Sequence, residues 1–270
     1  MRGASLLILL TRAIIGVSPE SLTEGKPILE RIEWTDIWVT NADRDDLPRV
    51  LIVGDSIARG YFNVVESKLQ DKAYCARFAT SMFLTNPDFL STLETLLRRY
   101  KFIVIHINNG LHGWKYTEEQ YKEGFPKLFD LLRRHSENAA LIWATTTPVR
   151  KKEDLSQLDE EVTCRVRERN RIAVEFMREN DIPVNDFFSI VVDHPEYFSG
   201  DGVHFKAQGY EILGKRTAEF ISKYLARPGR AEKEVKSGLP RVLLIGDSIR
   251  MGYESVSYTH LRAHETRHDL

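Results

Sequence analysis

The chain alternates short, unbroken aliphatic runs with longer stretches in which apolar residues recur every three or four positions. Val50 to Val53 is wholly aliphatic and ends in Gly54-Asp55-Ser56, the pattern of a strand buried on both faces. Comparable runs follow at 73–79, 102–107, 140–144 and, more weakly, 182–184. The segments between them read as helices. Asn86 before Pro87 makes a cap with proline in the first turn, and Phe89, Leu93, Leu96 and Tyr100 mark one face. Thr117 with Gln120 forms a capping box ahead of Tyr121, Phe125, Leu128 and Leu132; Pro126 within that stripe predicts a kink or two helices. Val162, Val166, Ala173 and Phe176 define a longer helix, with the Arg169 stem expected at the edge of its stripe. A last helix carries Tyr210, Leu213, Thr217, Phe220 and Tyr224. Strands alternating with helices predict a parallel sheet covered on both faces, with ligands at the carboxyl ends of the strands, where strand order reverses.

Composition narrows the field. With 42% hydrophobic and 29% charged residues the chain is an ordinary globular one, which excludes a disordered or collagenous protein. A net charge of −1 supplies no global field for a polyanion, and no linear basic patch stands out, so neither a nucleic-acid nor a membrane partner is expected. Cys75 and Cys164 sit in neither metal-ligand nor redox spacing and read as two small buried hydrophobes.

The two ends differ in character. Leu6 to Leu10 and Ala13 to Val17 are apolar but interrupted by Thr11 and Arg12, too short to span a bilayer. The basic start suits a signal peptide but lacks a cleavage site, so a mis-assigned start or an amphipathic segment remains open. The compartment, cytoplasmic or exported, stays open with it. Toward the other end, Leu47 to Tyr61 recurs as Leu239 to Tyr253 with eleven of fifteen residues identical. Chance does not produce that match, so a second copy of the domain begins there, after a charged linker. From about Val256 the chain resembles the in-frame translation of a sequencing adapter; the other reading is a His-rich tail that binds metal through His260, His264 and His268. The expected organisation is an N-terminal extension over 1–44, a complete domain over 45–226, a linker over 227–238, a truncated second copy over 239–255 and a non-native tail over 256–270.

Three blocks carry the candidate chemistry. Ser56 follows the first buried strand at a tight turn into a helix, where free first-turn amides can stabilise an anion; a helix-capping serine or a phosphate-binding turn would look the same. Asp201-Gly-Val-His204 precedes the last helix, so Asp201 can hold one ring nitrogen of His204 while the other faces a nucleophile. A capping pair or two metal ligands are the competing readings, but no further ligands have suitable spacing. Asn108-Asn109-Gly110 ends the third strand, where an amide can donate to a developing oxyanion or simply make a turn.

Together the blocks resemble the SGNH hydrolases, the GDSL-type esterases and lipases. That resemblance spans roughly residues 49–226 and rests on Gly54-Asp55-Ser56 and on Asp201 to His204. It implies Ser56 as nucleophile, His204 as general base, Asp201 as its orienting partner, and an oxyanion hole from the Ser56 amide with Asn108 or Asn109. The third block departs from the family's Gly-x-Asn-Asp, reading His106-Ile107-Asn108-Asn109, and the second-block glycine has no counterpart; a Thr80 or Ser81 amide would take its place. The implied fold is a three-layer α/β/α sandwich on a mainly parallel, flavodoxin-like five-stranded sheet. The implied activity is hydrolysis of a small acyl ester, first of all an O-acetyl group on a carbohydrate, with no cofactor and no metal. Asp55, His112 and Thr147, with Trp114 and Arg150, are the candidate substrate contacts, although they equally suit an ordinary loop. A lipase or thioesterase of the same family, or a non-catalytic carbohydrate- or anion-binding module, is the alternative.

Overall fold

Alternation along the first predicted strand decides how the domain is layered. The computed structural model describes residues 27–225; the second copy, the tail with its histidines and residues 1–26 lie outside the described residues. Val50 and Ile52 pack on one face of the sheet and Leu51 and Val53 on the other, all four fully buried, as the two-residue strand period requires. One face is covered by α2 (Pro87–Arg99), α3 (Glu118–His135) and α4 (Glu160–Glu179) through Phe89, Leu93, Phe125, Leu128 and Met177. The other is covered by α1 (Ser56–Lys68), α5 (Phe187–Val191) and α6 (Ala207–Leu225) through Tyr61, Phe62, Phe187, Leu213 and Ile221.

The sheet has six strands: β1 (Thr35–Val39), β2 (Arg49–Gly54), β3 (Tyr74–Thr80), β4 (Val104–Ile107), β5 (Ala140–Ala144) and β6 (Val184–Asn185). Their order is β1-β3-β2-β4-β5-β6, and all neighbouring pairs are parallel except β1 with β3. Five of them form the expected flavodoxin-like order. The sixth, β1, is an antiparallel edge strand drawn from the segment expected to be an extension before residue 45. Its exposed Ile37 and Trp38 break the alternation by which a half-buried strand is read, which is why the sequence pattern misses it.

Strand order reverses at β2, with β3 added on one side and β4 on the other, so the crevice above the carboxyl ends of the parallel pair β2 and β4 is where a ligand fits. The predicted caps form: Asn86 accepts from the Asp88 N–H, and Thr117 and Gln120 close their capping box. Pro126 breaks nothing; α3 runs as one helix through it. Cys75 is buried in β3, whereas Cys164 is exposed on α4, contrary to the buried expectation. Arg169 is fully buried rather than at the edge of its stripe, because its guanidinium donates to the carbonyls of Gly110, His112 and Gly113 and lies 3.4 Å from Glu118.

Candidate active site

The turn after β2 places the first residue of the site. Asp55 caps α1, its carboxylate accepting from the Ile57 N–H at 2.8 Å. The cap is therefore Asp55 and not Ser56, which leaves the Ser56 hydroxyl free to face outward. As the first residue of α1, Ser56 also carries a backbone N–H with no intrahelical acceptor, beside the positive end of the helix.

From the far end of the domain, the loop between the short 3-10 turn Pro195–Tyr197 and α6 brings in the partner. His204 Nε2 lies 2.8 Å from Ser56 Oγ, across 148 residues of sequence, and His204 Nδ1 lies 2.6 Å from Asp201 Oδ2. The other carboxylate oxygen of Asp201 accepts from the Ser199 hydroxyl at 2.8 Å and from the Val203 and His204 amides at 2.9 Å. Burial works to raise the Asp201 pKa, but these four hydrogen bonds outweigh it and hold the carboxyl well below the usual range. With Asp201 ionised, the Nδ1–H tautomer is favoured and Nε2 is left as an acceptor for the Ser56 proton.

Two glycines shape this arrangement. Gly202 has φ +74°, and a Cβ there would sit 2.0 Å from the Arg150 carbonyl oxygen. Gly60, one turn after Ser56, is overlaid by the Tyr210 ring, 2.1 Å from where a Cβ would be. Arg150 itself does not face the crevice as expected. It is buried, donating to the Leu155, Ser156 and Val192 carbonyls, and its N–H donates to Gly202 O at 2.8 Å, so it braces the Asp201 loop from behind.

The remaining sequence candidates are placed less favourably. Asn108 is buried, and its Nδ2 donates to Ala144 O at 2.8 Å and to Thr146 Oγ1 at 3.3 Å. Asn109 Nδ2 donates to Met82 O at 3.0 Å. Neither amide is idle. Of the two amides expected to substitute for a second-block glycine, the Ser81 N–H donates to Trp34 O and is tied toward the strand-β1 side; the Thr80 hydroxyl donates to the same carbonyl. Thr147 is buried and, with Asp55 and Asn108, lines a water-sized cavity of about 10 Å³ beneath the crevice rather than its mouth. Trp114 is half-buried under Arg165 and Arg169.

His112 is held by a residue that sequence patterning does not mark. Glu30, ahead of β1, lies 3.0 Å from His112 Nδ1 and accepts from the Gly113 N–H at 2.7 Å. Burial pushes the His112 pKa down, but Glu30, Asp55 and Glu33 together raise it. Burial likewise raises that of Glu30, and the bonds from His112 and Gly113 lower it on balance. Residues 28–34 thus form a strap over the β3 and β4 loops, with Trp34 fixed by its N–H to Ser81 Oγ and Ile28 N–H bonded to Tyr116.

No family model and no curated protein matches the chain. Solved structures do. An aryl esterase of M. smegmatis superposes with a TM-score of 0.54 at 15% identity, over 66% of this chain and 99% of that one. A carbohydrate acetylesterase family member from Sinorhizobium meliloti gives 0.52 at 18% identity, over 66% and 99%. A carbohydrate esterase family 3 protein from Talaromyces cellulolyticus gives 0.52 at 10%, over 66% and 98%. The chain has the SGNH hydrolase fold. Within that fold, the first and last blocks meet as the sequence resemblance implies, whereas the third block's asparagines are committed to neighbouring carbonyls.

Proposed function

We propose that the protein is a serine esterase that hydrolyses small acyl esters through an acyl-enzyme, with an O-acetyl group on a carbohydrate as the first substrate class to test. The observation that carries this reading is the hydrogen-bonded series Ser56, His204, Asp201 at the switch point of the sheet. In the forward step His204 Nε2 takes the Ser56 proton as Oγ adds to the ester carbonyl. The oxyanion forms beside the first turn of α1, where the Ser56 N–H and the helix dipole stabilise it. Asn108 serves as second donor once its longer bond, to Thr146 Oγ1, is exchanged for the oxyanion. The imidazolium, steadied by Asp201, then gives its proton to the departing alcohol, and water attacks the acyl-enzyme by the same route. Esterases of known structure with this fold, two of them carbohydrate esterases by description, support the assignment at the level of ester chemistry. Hydrolysis of p-nitrophenyl acetate above the rate of a Ser56→Ala variant is the expected result. Equal rates would reject the proposal.

A further inference from the structure

The crevice mouth holds an arginine that the catalytic series does not use. Arg59 lies three residues after Ser56 on α1, so the two side chains share a helix face with Cβ atoms about 5–6 Å apart. It is exposed, and among the described residues it makes no ion pair. Its guanidinium sits 5.3 Å from the centre of the Trp34 ring. The Trp34 backbone is held by Ser81 through its N–H and carbonyl, and its ring lies edge-on to His112 with centres 6.3 Å apart. On the other side Tyr210 closes over Gly60, and its hydroxyl feels the charge of Arg59. Of the carboxylates nearby, Glu30 is engaged by His112 and Gly113, Glu33 by the Ser81 hydroxyl and the Glu30 N–H, and Asp201 by His204, while Asp55 is buried and caps α1 through Oδ1 alone. An arginine whose contact is with an aromatic ring keeps its N–H groups available, and their edge matches a carboxylate with two parallel hydrogen bonds.

We propose that Arg59 is a specificity-determining residue that binds a carboxylate on the substrate. The ester cleaved at Ser56 is then carried by an acidic molecule, with the carboxylate about one sugar ring from the ester, as in an O-acetylated uronic acid. This rests on the esterase reading and narrows its substrate class. His112, whose ring lies 6.3 Å from that of Trp34, offers no Arg59-independent route to an acid preference, because its Nδ1 is occupied by Glu30.

The test compares an acetylated methyl glucuronide with the methyl glucoside acetylated at the same position, the neutral ester being the internal reference. The wild-type protein should favour the acid about tenfold in kcat/KM, the gain from one charge-assisted pair. That ratio should fall toward one in Arg59→Gln, keep an intermediate value in Arg59→Lys, and shrink with added salt. Equal turnover of the two esters by the wild type, or a ratio that survives Arg59→Gln, would overturn the inference while leaving the esterase intact. If neither ester is cleaved above the Ser56→Ala rate, the esterase reading fails instead. Calorimetric binding of the unacetylated glycosides then decides: tighter binding of the glucuronide, lost in Arg59→Gln, supports the carboxylate site, and equal binding overturns it.

Discussion

Replacing Asp201 with asparagine isolates the orienting carboxylate, because the site dictates which way the new amide must lie. Asp201 Oδ1 takes three donors, the Ser199 hydroxyl and the Val203 and His204 amides, all within 2.9 Å. An asparagine that turned its NH2 toward them would lose all three bonds and set N–H against N–H. The amide oxygen therefore stays on that side, and the NH2 faces His204 Nδ1, where the carboxylate oxygen lies at 2.6 Å. A donor there forces Nδ1 to accept, moves the ring proton to Nε2, and leaves nothing to take the proton of Ser56. In a triad of this kind the wrong tautomer costs about 10³–10⁴-fold in kcat. Because the loop keeps its three hydrogen bonds, thermal unfolding should shift by only a few degrees, about the effect of 1 kcal/mol in a domain of this size. The assay is steady-state hydrolysis of p-nitrophenyl acetate beside a melting curve of the same sample. A folded Asp201→Asn variant that loses less than tenfold in kcat would refute the assigned role.

Further expectations follow from the same contacts. Gly202→Ala should destabilise by roughly 2–4 kcal/mol and lower activity with it, since positive φ and a Cβ 2.0 Å from Arg150 O both displace the Asp201 loop; chemical denaturation measures the first effect. Asn108→Ala should cut kcat about 10²–10³-fold, whereas Asn109→Ala, losing only the bond to Met82, should act on stability, which parallel kinetics and melting curves separate. The Glu30–His112 pair should stabilise the strap most between pH 4.5 and 6.5, the ordinary values of the two groups. With the Glu30 pKa lowered, its contribution is lost as pH falls through that lowered value. With the His112 pKa raised, the pair's contribution, about 1 kcal/mol, is lost as pH rises through that raised value; protection of the Gly113 amide from hydrogen exchange reports both limits. His106, buried in β4 with its pKa pushed down to about 3 by burial, should make the fold lose stability below pH 6.5, by up to about 1.4 kcal/mol per pH unit, a slope that a His106→Gln variant would lack in acid denaturation.

Much of this site is legible in the sequence because its parts obey short-range rules. An aliphatic run ending in Gly-Asp-Ser is a strand, a turn and a helix start, and Asp-x-x-His closes a hydrogen-bonded turn on its own carboxylate. What those rules do not carry is the identity of partners brought in from a distance. The reach of Glu30 to His112 spans 82 residues and leaves no periodicity behind. Arg169 reads as a snorkelling edge residue because nothing local announces the three loop carbonyls that satisfy it. Arg150, expected in a sugar-facing cleft, is likewise taken inward by carbonyls from two separate loops. The asparagines show the remaining gap: the residue type suits an oxyanion hole, while the acceptors that engage it, Ala144 O and Met82 O, come from other strands and loops.

The catalytic assignment is tested most directly by treating the whole chain with a fluorophosphonate and locating the adduct by peptide mass spectrometry. A covalent adduct on Ser56, slowed at least a hundredfold in His204→Ala and absent from Ser248, the serine of the repeated Gly-Asp-Ser that no Asp-x-x-His block follows, is the expected result. No adduct on Ser56, or labelling at an equal rate in folded His204→Ala, would contradict a nucleophile activated by that histidine.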